Sequence, residues 1–180
     1  VSQLAQSLSF LQVSSPLLQL GEAQQQDGQR FLKFPLNAEV NALLPLAELQ
    51  GVISVSLHDI LPVPQVAESL LGIINWQGKA TWILDLAHLF GATHWCRQKP
   101  VAESGMAMLV QVKSETVGLL VKQVSTIETY DPEQCLPVSE TLFSAKARAL
   151  LGGYFLDSAG KPWMLLDLQA VVKTLFSTID

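Results

Sequence analysis

Charge is scarce in this sequence. Only 15% of its 180 residues are Asp, Glu, Lys or Arg, against 49% hydrophobic. A core is therefore easily filled, and the thin charge predicts that some surface is covered by partners rather than by water. Basic residues are the scarcer sign, 11 against 16 acidic, for a net charge of −5. That balance argues against nucleic acid as a partner, since a phosphate-tracking groove needs a surplus of Lys and Arg. Cysteine is nearly absent. Cys96 and Cys135 stand alone, which suits a reducing compartment and gives no disulfide framework. Residues 1–29 hold no Lys or Arg, so the charged start of a secretory signal is missing. No apolar run approaches the ~18 residues that a membrane helix needs. These absences predict a soluble cytoplasmic protein of one domain, or of two small subdomains sharing a core.

Reaction chemistry is also missing. The stretch GIINWQGKATWILDL, residues 72–86, contains a Gly-Lys pair, but a phosphate loop needs four residues before Gly-Lys and then Ser or Thr. Five residues separate Gly72 from Gly78, and Ala80 follows Lys79. The lysine opens a strand, so no helix N-terminus faces a phosphate. His94 and Cys96 flank Trp95 without a second ligand pair at a fitting interval, a poor metal site. His58 and His88 border apolar segments and read as structural. Ser139 and Ser144 lack a nucleophile-elbow context. Cys135 follows Asp131-Pro132-Glu133, and those acids predict a raised thiol pKa. No catalytic, cofactor-binding or metal-binding residue is assigned.

What the chain does have is strand pattern. FLKFPL, residues 31–36, reads as a strand whose end Pro35 demotes to an edge. Over residues 52–57, Ile53, Val55 and Leu57 alternate with Ser54 and Ser56, the period of a half-buried strand. Pro62 and Pro64 hold LPVP extended. MLVQVK (108–113) and TVGLLVKQV (116–124) predict a hairpin turning at Ser114-Glu115. The loop from Ala92 to Gly105, with Arg97, Lys99 and Pro100, is the clearest internal break. LQAVVKTLF (168–176) is the best helix, with Leu168, Val171, Val172, Leu175 and Phe176 on one stripe and Asp167 at its N-cap. Before all this, Leu4, Leu8 and Leu11 give a weak helical signal that Pro16 ends. A short apolar run (Leu17, Leu18, Leu20) follows, then the polar linker GEAQQQDGQ. Residues 1–29 are expected to be an extension, either a tail or a segment that docks.

One pattern recurs. GKATWILDL (78–86) and GKPWMLLDL (160–168) share five of nine positions. Upstream, Leu70-Leu71-Gly72 echoes Leu150-Leu151-Gly152, and the second turn is two residues longer. Each copy predicts strand, tight turn, strand and an Asp-capped helical turn. Two copies fit two small β-barrels packed together. Asp85 and Asp167 read as caps rather than as a catalytic pair. Ile74, Trp76, Trp82, Leu84 and Leu86 are expected to face one way and be buried, at roughly 1.5–3 kcal/mol for each large side chain.

From Arg30 to about Phe176 these segments, taken in order, resemble a CheW-like domain, the adaptor module of bacterial chemosensory arrays. The resemblance rests on FLKF, on LPVP before LLGIIN, and on the G-x-x-N-x-x-G signature as Gly72, Asn75 and Gly78. ILDL, VGLLVKQVSTIETYDPEQ and LLGGYFLDSAGKPWMLLDLQAVV continue it. It implies a mainly β fold of two packed five-stranded SH3-like β-barrels with a short C-terminal helix. It also implies a non-enzymatic adaptor without cofactors, linking the cytoplasmic tip of a methyl-accepting receptor to a CheA-like histidine kinase. The implied protein-binding residues are Gly72, Asn75, Trp76, Gln77 and Gly78. Gly72 and the strand start near Met106 would lie on the receptor-facing side. One position departs: the family usually has arginine where this chain has Gln77, so a five-donor cation becomes a neutral amide. Trp76 is either an interface anchor that compensates or a core residue. The departure points to an altered partner or to a divergent role in gliding, twitching, phototaxis or gene expression. The alternative from another class is a ligand-binding or enzymatic β-barrel, which needs a deep polar pocket with convergent titratable groups.

Overall fold

Ten strands in two five-stranded sheets frame the structure, a computed structural model that describes residues 28–38, 40–97 and 103–176, without the side chains of Leu175 and Phe176. The expected helix at Leu4, Leu8 and Leu11, the run at Leu17, Leu18 and Leu20, and Lys99 and Pro100 lie outside the described residues. The strands are β1 (Gln29–Pro35), β2 (Asn41–Pro45), β3 (Leu49–Ser56), β4 (Leu70–Trp76), β5 (Lys79–Asp85), β6 (Ser104–Val112), β7 (Glu115–Val121), β8 (Ile127–Tyr130), β9 (Leu151–Leu156) and β10 (Pro162–Leu166). Three helices accompany them: α1 (Leu86–Leu89), α2 (Ala145–Arg148) and α3 (Leu168–Phe176).

One sheet runs β8-β1-β2-β10-β9 and the other β3-β6-β7-β5-β4. Numbered from β3, the second sheet has the order first, fourth, fifth, third, second. Numbered from β8 and passing from β10 back to β1, the first sheet has the same order. The sequence echo is therefore a whole-unit repeat in circularly permuted form. Its parallel pairs correspond too, β5 with β7 and β10 with β2. The mainly β class, the two five-stranded units and the C-terminal helix are as expected. Closed barrels are not. Each ladder ends at an outer strand, and outside the named strands the described residues add only the bridges Leu61↔Ile73 and Leu136↔Tyr154.

Those bridges align the copies more exactly than the letters do. Leu61 exchanges both backbone hydrogen bonds with Ile73, and Leu136 does so with Tyr154. Gly72 thus corresponds to Gly153, one residue beyond the Gly152 that matching by eye suggests. The caps correspond as well. Asp85 Oδ1 accepts the His88 N–H at 3.0 Å, and Asp167 Oδ1 accepts the Ala170 N–H at 3.0 Å. Each aspartate satisfies a free donor at a helix start, as a capping carboxylate does.

The main core lies where the sheets share faces. Leu32, Phe34 and Leu44 from one meet Leu84, Met108 and Leu119 from the other, closed by Leu168, Val171 and Val172 of α3. Each sheet also buries its far face. Val55, Ile60, Ile74, Ile83, Trp95 and Leu120 cluster on the second sheet, and Phe31, Leu43 and Phe155 on the first. Burial on both faces explains why Phe31 to Phe34 read as a continuous run rather than an alternation.

Local expectations fare unevenly. Val55 is buried while Ser54 is exposed, as the period of two predicts, although the strand ends at Ser56 and Leu57 begins a 3-10 turn. Pro35 ends β1. Its missing N–H points to the β8 side, where pairing stops after Lys33 donates to Thr126 O (2.8 Å), so no ladder bond is lost. The second hairpin turns at Lys113-Ser114, not Ser114-Glu115, because Val112 pairs with Glu115 and Lys113 takes the positive φ of 57°. Ile74, Trp76, Trp82, Leu84 and Leu86 do not share a face. Ile74 and Trp76 pack on the far-face cluster, while Trp82, Leu84 and Leu86 join the shared core. Ile74 pairs with Thr81, so residues on one face have opposite parity across this two-residue turn.

Candidate partner-docking surfaces

The β4–β5 hairpin holds five of the six residues assigned to partner binding. Asn75 pairs with Ala80 and Trp76 with Lys79, leaving Gln77-Gly78 as the turn. Both turn residues have positive φ, 51° and 79°. This is the two-residue hairpin geometry whose twist matches the flanking strands. Gly78 adopts it freely; Gln77, with a Cβ, is strained by roughly 1–2 kcal/mol. Asn75 Oδ1 reaches over the turn to accept the Gly78 N–H at 3.0 Å. Gly72, with φ of 143°, lies so close to the bridging strand that a Cβ there would sit 2.1 Å from Leu61 O.

All three signature residues therefore have a structural reason. Gly72 admits the 61–73 bridge, Asn75 closes the turn, and Gly78 makes it possible. What the hairpin offers outward is Asn75, Gln77, Gly78, Lys79 and Ala80, all exposed, with Trp76 half-buried against the far-face cluster. Trp76 is both core filler and tip support.

Met106 lies elsewhere. It is on β6, three strands from β4 in the sheet order, about 14 Å across at ordinary strand spacing. It pairs with Val121, one step past the Asp85↔Leu120 level and so at the α1 end, whereas the Gln77-Gly78 tip is at the other end. Its neighbours are different residues. Leu49 opposite Val110, Val52 opposite Met108 and Ser54 opposite Met106 share its side of the sheet. Leu49, Val52 and Met106 are half-buried, pack on the shared core, and run along the β3 edge.

A third surface was not anticipated from the sequence. Leu136, Leu142 and Leu156 are 36%, 53% and 49% exposed, high for leucine. Leu136 faces Tyr154 across the bridge, Leu156 is two residues along on the same side, and Phe143 sets its ring on Tyr154 at 5.5 Å. Glu140 and Arg148 pair at 3.1 Å beside this patch. Leu156 holds the place that Asn75 has in the other copy. The signal was present in the repeat, but matching Gly72 to Gly152 and the one extra residue in the second turn hide it.

Electrostatics distinguish the first sheet. Lys33, almost fully buried, meets Glu128 Oε2 at 2.8 Å and lies 3.8 Å from the centre of the Trp163 ring. That contact holds the Glu128 carboxyl below its ordinary range, chiefly through the Lys33 hydrogen bond. The Tyr130 hydroxyl donates to Glu128 at 3.0 Å, and its pKa is pushed up by burial and then by that carboxylate. Asp157 accepts the Lys161 and Ala159 N–H groups and the Trp163 indole N–H, which lower its pKa in that company. The Cys135 thiol is raised, as expected, but burial is the cause and not the preceding acids. Asp131 is occupied in capping the Glu133 N–H at 3.0 Å.

No group of three or more His, Cys, Asp and Glu side chains able to hold a metal occurs among the described residues. A cleft of about 940 Å³ lies between the β1–β2 turn and α1, and the charged groups among its described lining residues are Arg97 and Lys122. No helix among the described residues is long and apolar enough to cross a membrane.

This fold, with its signature hairpin, is that of the CheW-like domain, whose family model matches residues 30–176. The chain belongs to that family. Among solved structures it is similar to the scaffolding protein TtCheW from Thermoanaerobacter tengcongensis, at a TM-score of 0.66 and 21% identity over 81% of this chain and 88% of that one. No curated protein matches the chain.

Proposed function

We propose that this protein is a non-catalytic adaptor that couples the cytoplasmic tip of a methyl-accepting receptor to the regulatory domain of a CheA-like histidine kinase. Residues 30–176 form the adaptor domain and residues 1–29 an extension. The protein works in the cytoplasm, recruited to receptor arrays, in chemotaxis or a related motility or phototaxis pathway. The observation that carries this reading is the hydrogen-bonded β4–β5 tip. Its motif residues are consumed in shaping the turn, so that Gln77 and its neighbours stand free of other duties. The Leu136/Leu142/Leu156 patch adds uncharged contact area at the corresponding place on the other sheet, of the kind that marks protein partners.

Titration calorimetry against the regulatory domains of the CheA-like kinases of the same genome is the direct test. Micromolar binding, lost in the Leu142→Asp/Leu156→Asp variant with its melting temperature unchanged, supports the reading. No binding to any of those kinases ends it. Neutral Gln77 favours a partner adapted to glutamine at that point, since a neutral amide cannot replace a cation opposite a carboxylate.

A further inference from the structure

Each sheet has two outer strands, and three of the four outer edges are blunted. β4 is lined by the Leu61↔Ile73 bridge and β9 by the Leu136↔Tyr154 bridge. β8 is four residues long and carries Glu128; short or charged edges resist further pairing. β3, which holds the place of β8 in the other sheet, is different. It runs for eight residues, Leu49–Ser56, without a charge or a proline, and β6 beside it, Ser104–Val112, is also uncharged. Charges bracket the strand instead: Glu48 precedes it, His58 and Asp59 follow it, and Glu103 lies beside Leu57.

The ladder fixes which backbone groups of β3 point outward. The Leu57 N–H donates to Glu103 O at 2.9 Å. Val55 and Ile53, in the same register opposite Gly105 and Ala107, therefore also turn their backbone groups toward β6. Val52, Ser54 and Ser56 turn theirs away, and no turn, loop or bridge backbone hydrogen bond among the described residues reaches them. Outward groups at this spacing are their own complement. A second β3, antiparallel about a two-fold axis at Ser54, sets Ser54 opposite Ser54 and Val52 opposite Ser56, and each pair exchanges both backbone hydrogen bonds. On the far face the same register sets half-buried Ile53 of one copy opposite Val55 of the other, a β-branched cross-strand pair. Glu48 of one copy then approaches Asp59 of the other, like charges that confine the ladder to residues 52–56 and keep the association weak.

We propose that the protein self-associates through β3, two copies joining their second sheets edge to edge into one continuous sheet. Each β4–β5 hairpin then lies at a far edge of that sheet, the two on the order of 40 Å apart at ordinary strand spacing. Both Gln77-Gly78 tips stay free. Two tips on one body give avidity toward a partner that itself presents two sites.

Sedimentation velocity of the whole chain from about 10 µM to about 1 mM tests this. The parent should pass from monomer to dimer over that range, and the Val52, Ser54 and Ser56 amides should gain protection from exchange as it does. Ser54 is exposed, so Ser54→Lys and Ser54→Glu should each keep the parent melting temperature. Each sets like charges face to face on the axis and should weaken association at least about tenfold. An equimolar mixture of the two variants should restore it as a heterodimer, because position 54 meets itself. A parent that stays monomeric at about 1 mM overturns the inference. So does a dimer that both substitutions leave intact, or one that mixing fails to restore, since the contact then lies on another surface. Protection of the same amides that is independent of concentration assigns the edge to the chain's own remaining residues and also overturns it.

Discussion

The two sheets have one strand order but different interiors. At the position of Lys33 in the first sheet, the second has Leu109, fully buried among apolar neighbours. Where the first sheet has Asp157 closing a longer turn through three hydrogen bonds, the second has Trp76 and leaves the turn to Asn75. The capping aspartates diverge as well. Asp167 holds one N–H, whereas buried Asp85 uses its second oxygen to accept the Trp95 N–H at 2.6 Å, tying the loop after α1 to the core. The first sheet is fastened by charge, the second by packing and backbone closeness. The second has the tighter tip and the first the more apolar outer patch.

That contrast can be attacked at several points. The largest effect is expected at Gly72. In Gly72→Ala the new methyl meets Leu61 O, which is backbone and cannot swing away, so about 3–4 kcal/mol should be lost in urea unfolding. Gly153→Ala should lose less, because its Cβ meets the equivalent backbone oxygen, Leu136 O, at 2.8 Å rather than 2.1 Å, and its nearest contact is the Cys135 side chain at 2.5 Å. Equal losses would erase the distinction. Next, Asp85→Ala orphans two donors and should be destabilising by about 3 kcal/mol, whereas Asp167→Ala removes one cap worth about 1 kcal/mol. Thermal melts of both variants measure the gap.

Gln77→Arg should leave stability within about 0.5 kcal/mol, since the side chain is exposed. Binding is the informative readout. About tenfold tighter association with conventional kinase partners, seen by calorimetry, marks Gln77 as a simple loss; unchanged or weaker binding marks an adapted partner. Glu128→Gln should cost about 1 kcal/mol at neutral pH because Glu128 is half exposed. Its pH signature is sharper than its size. With the folded carboxyl depressed by Lys33, the contribution is complete above the unfolded glutamate range near ~4.3. It disappears as pH falls through the folded value. Unfolding free energies from pH 6 to pH 3 should therefore fall less in the variant than in the parent.

Much of this was legible in the sequence, and the failures have definite causes. A period-two alternation located β3, and two apolar runs located β6 and β7. The repeated Gly-Lys-to-Asp interval found both hairpins and both caps, because a turn and a cap each demand particular residue types. Facing was misjudged at Ile74 and Trp82, since parity reverses across a hairpin whose turn has an even number of residues. The Lys113-Ser114 turn was missed by one residue because neither letter is a turn signal, and register rather than composition placed it. The Leu156 patch was hidden by the longer second turn, and the Leu49/Val52 face by a bulge between Leu49 and Gly51. Pairing between distant strands leaves no local mark at all. Of the six residues assigned to partners, five meet on one hairpin and Met106 belongs to another surface.

The permuted arrangement also governs how the chain can assemble. β1 and β2 emerge first from the ribosome, yet Asn41 waits for Trp163, and Gln29 for Tyr130, before their sheet is complete. The second sheet, built from the contiguous stretch β3 to β7, can form while the tail is still being synthesised. The opening hairpin must meanwhile persist with both flanks unpaired, a sticky nascent intermediate of the sort that holding chaperones shelter. Final closure waits on the last strand to be made.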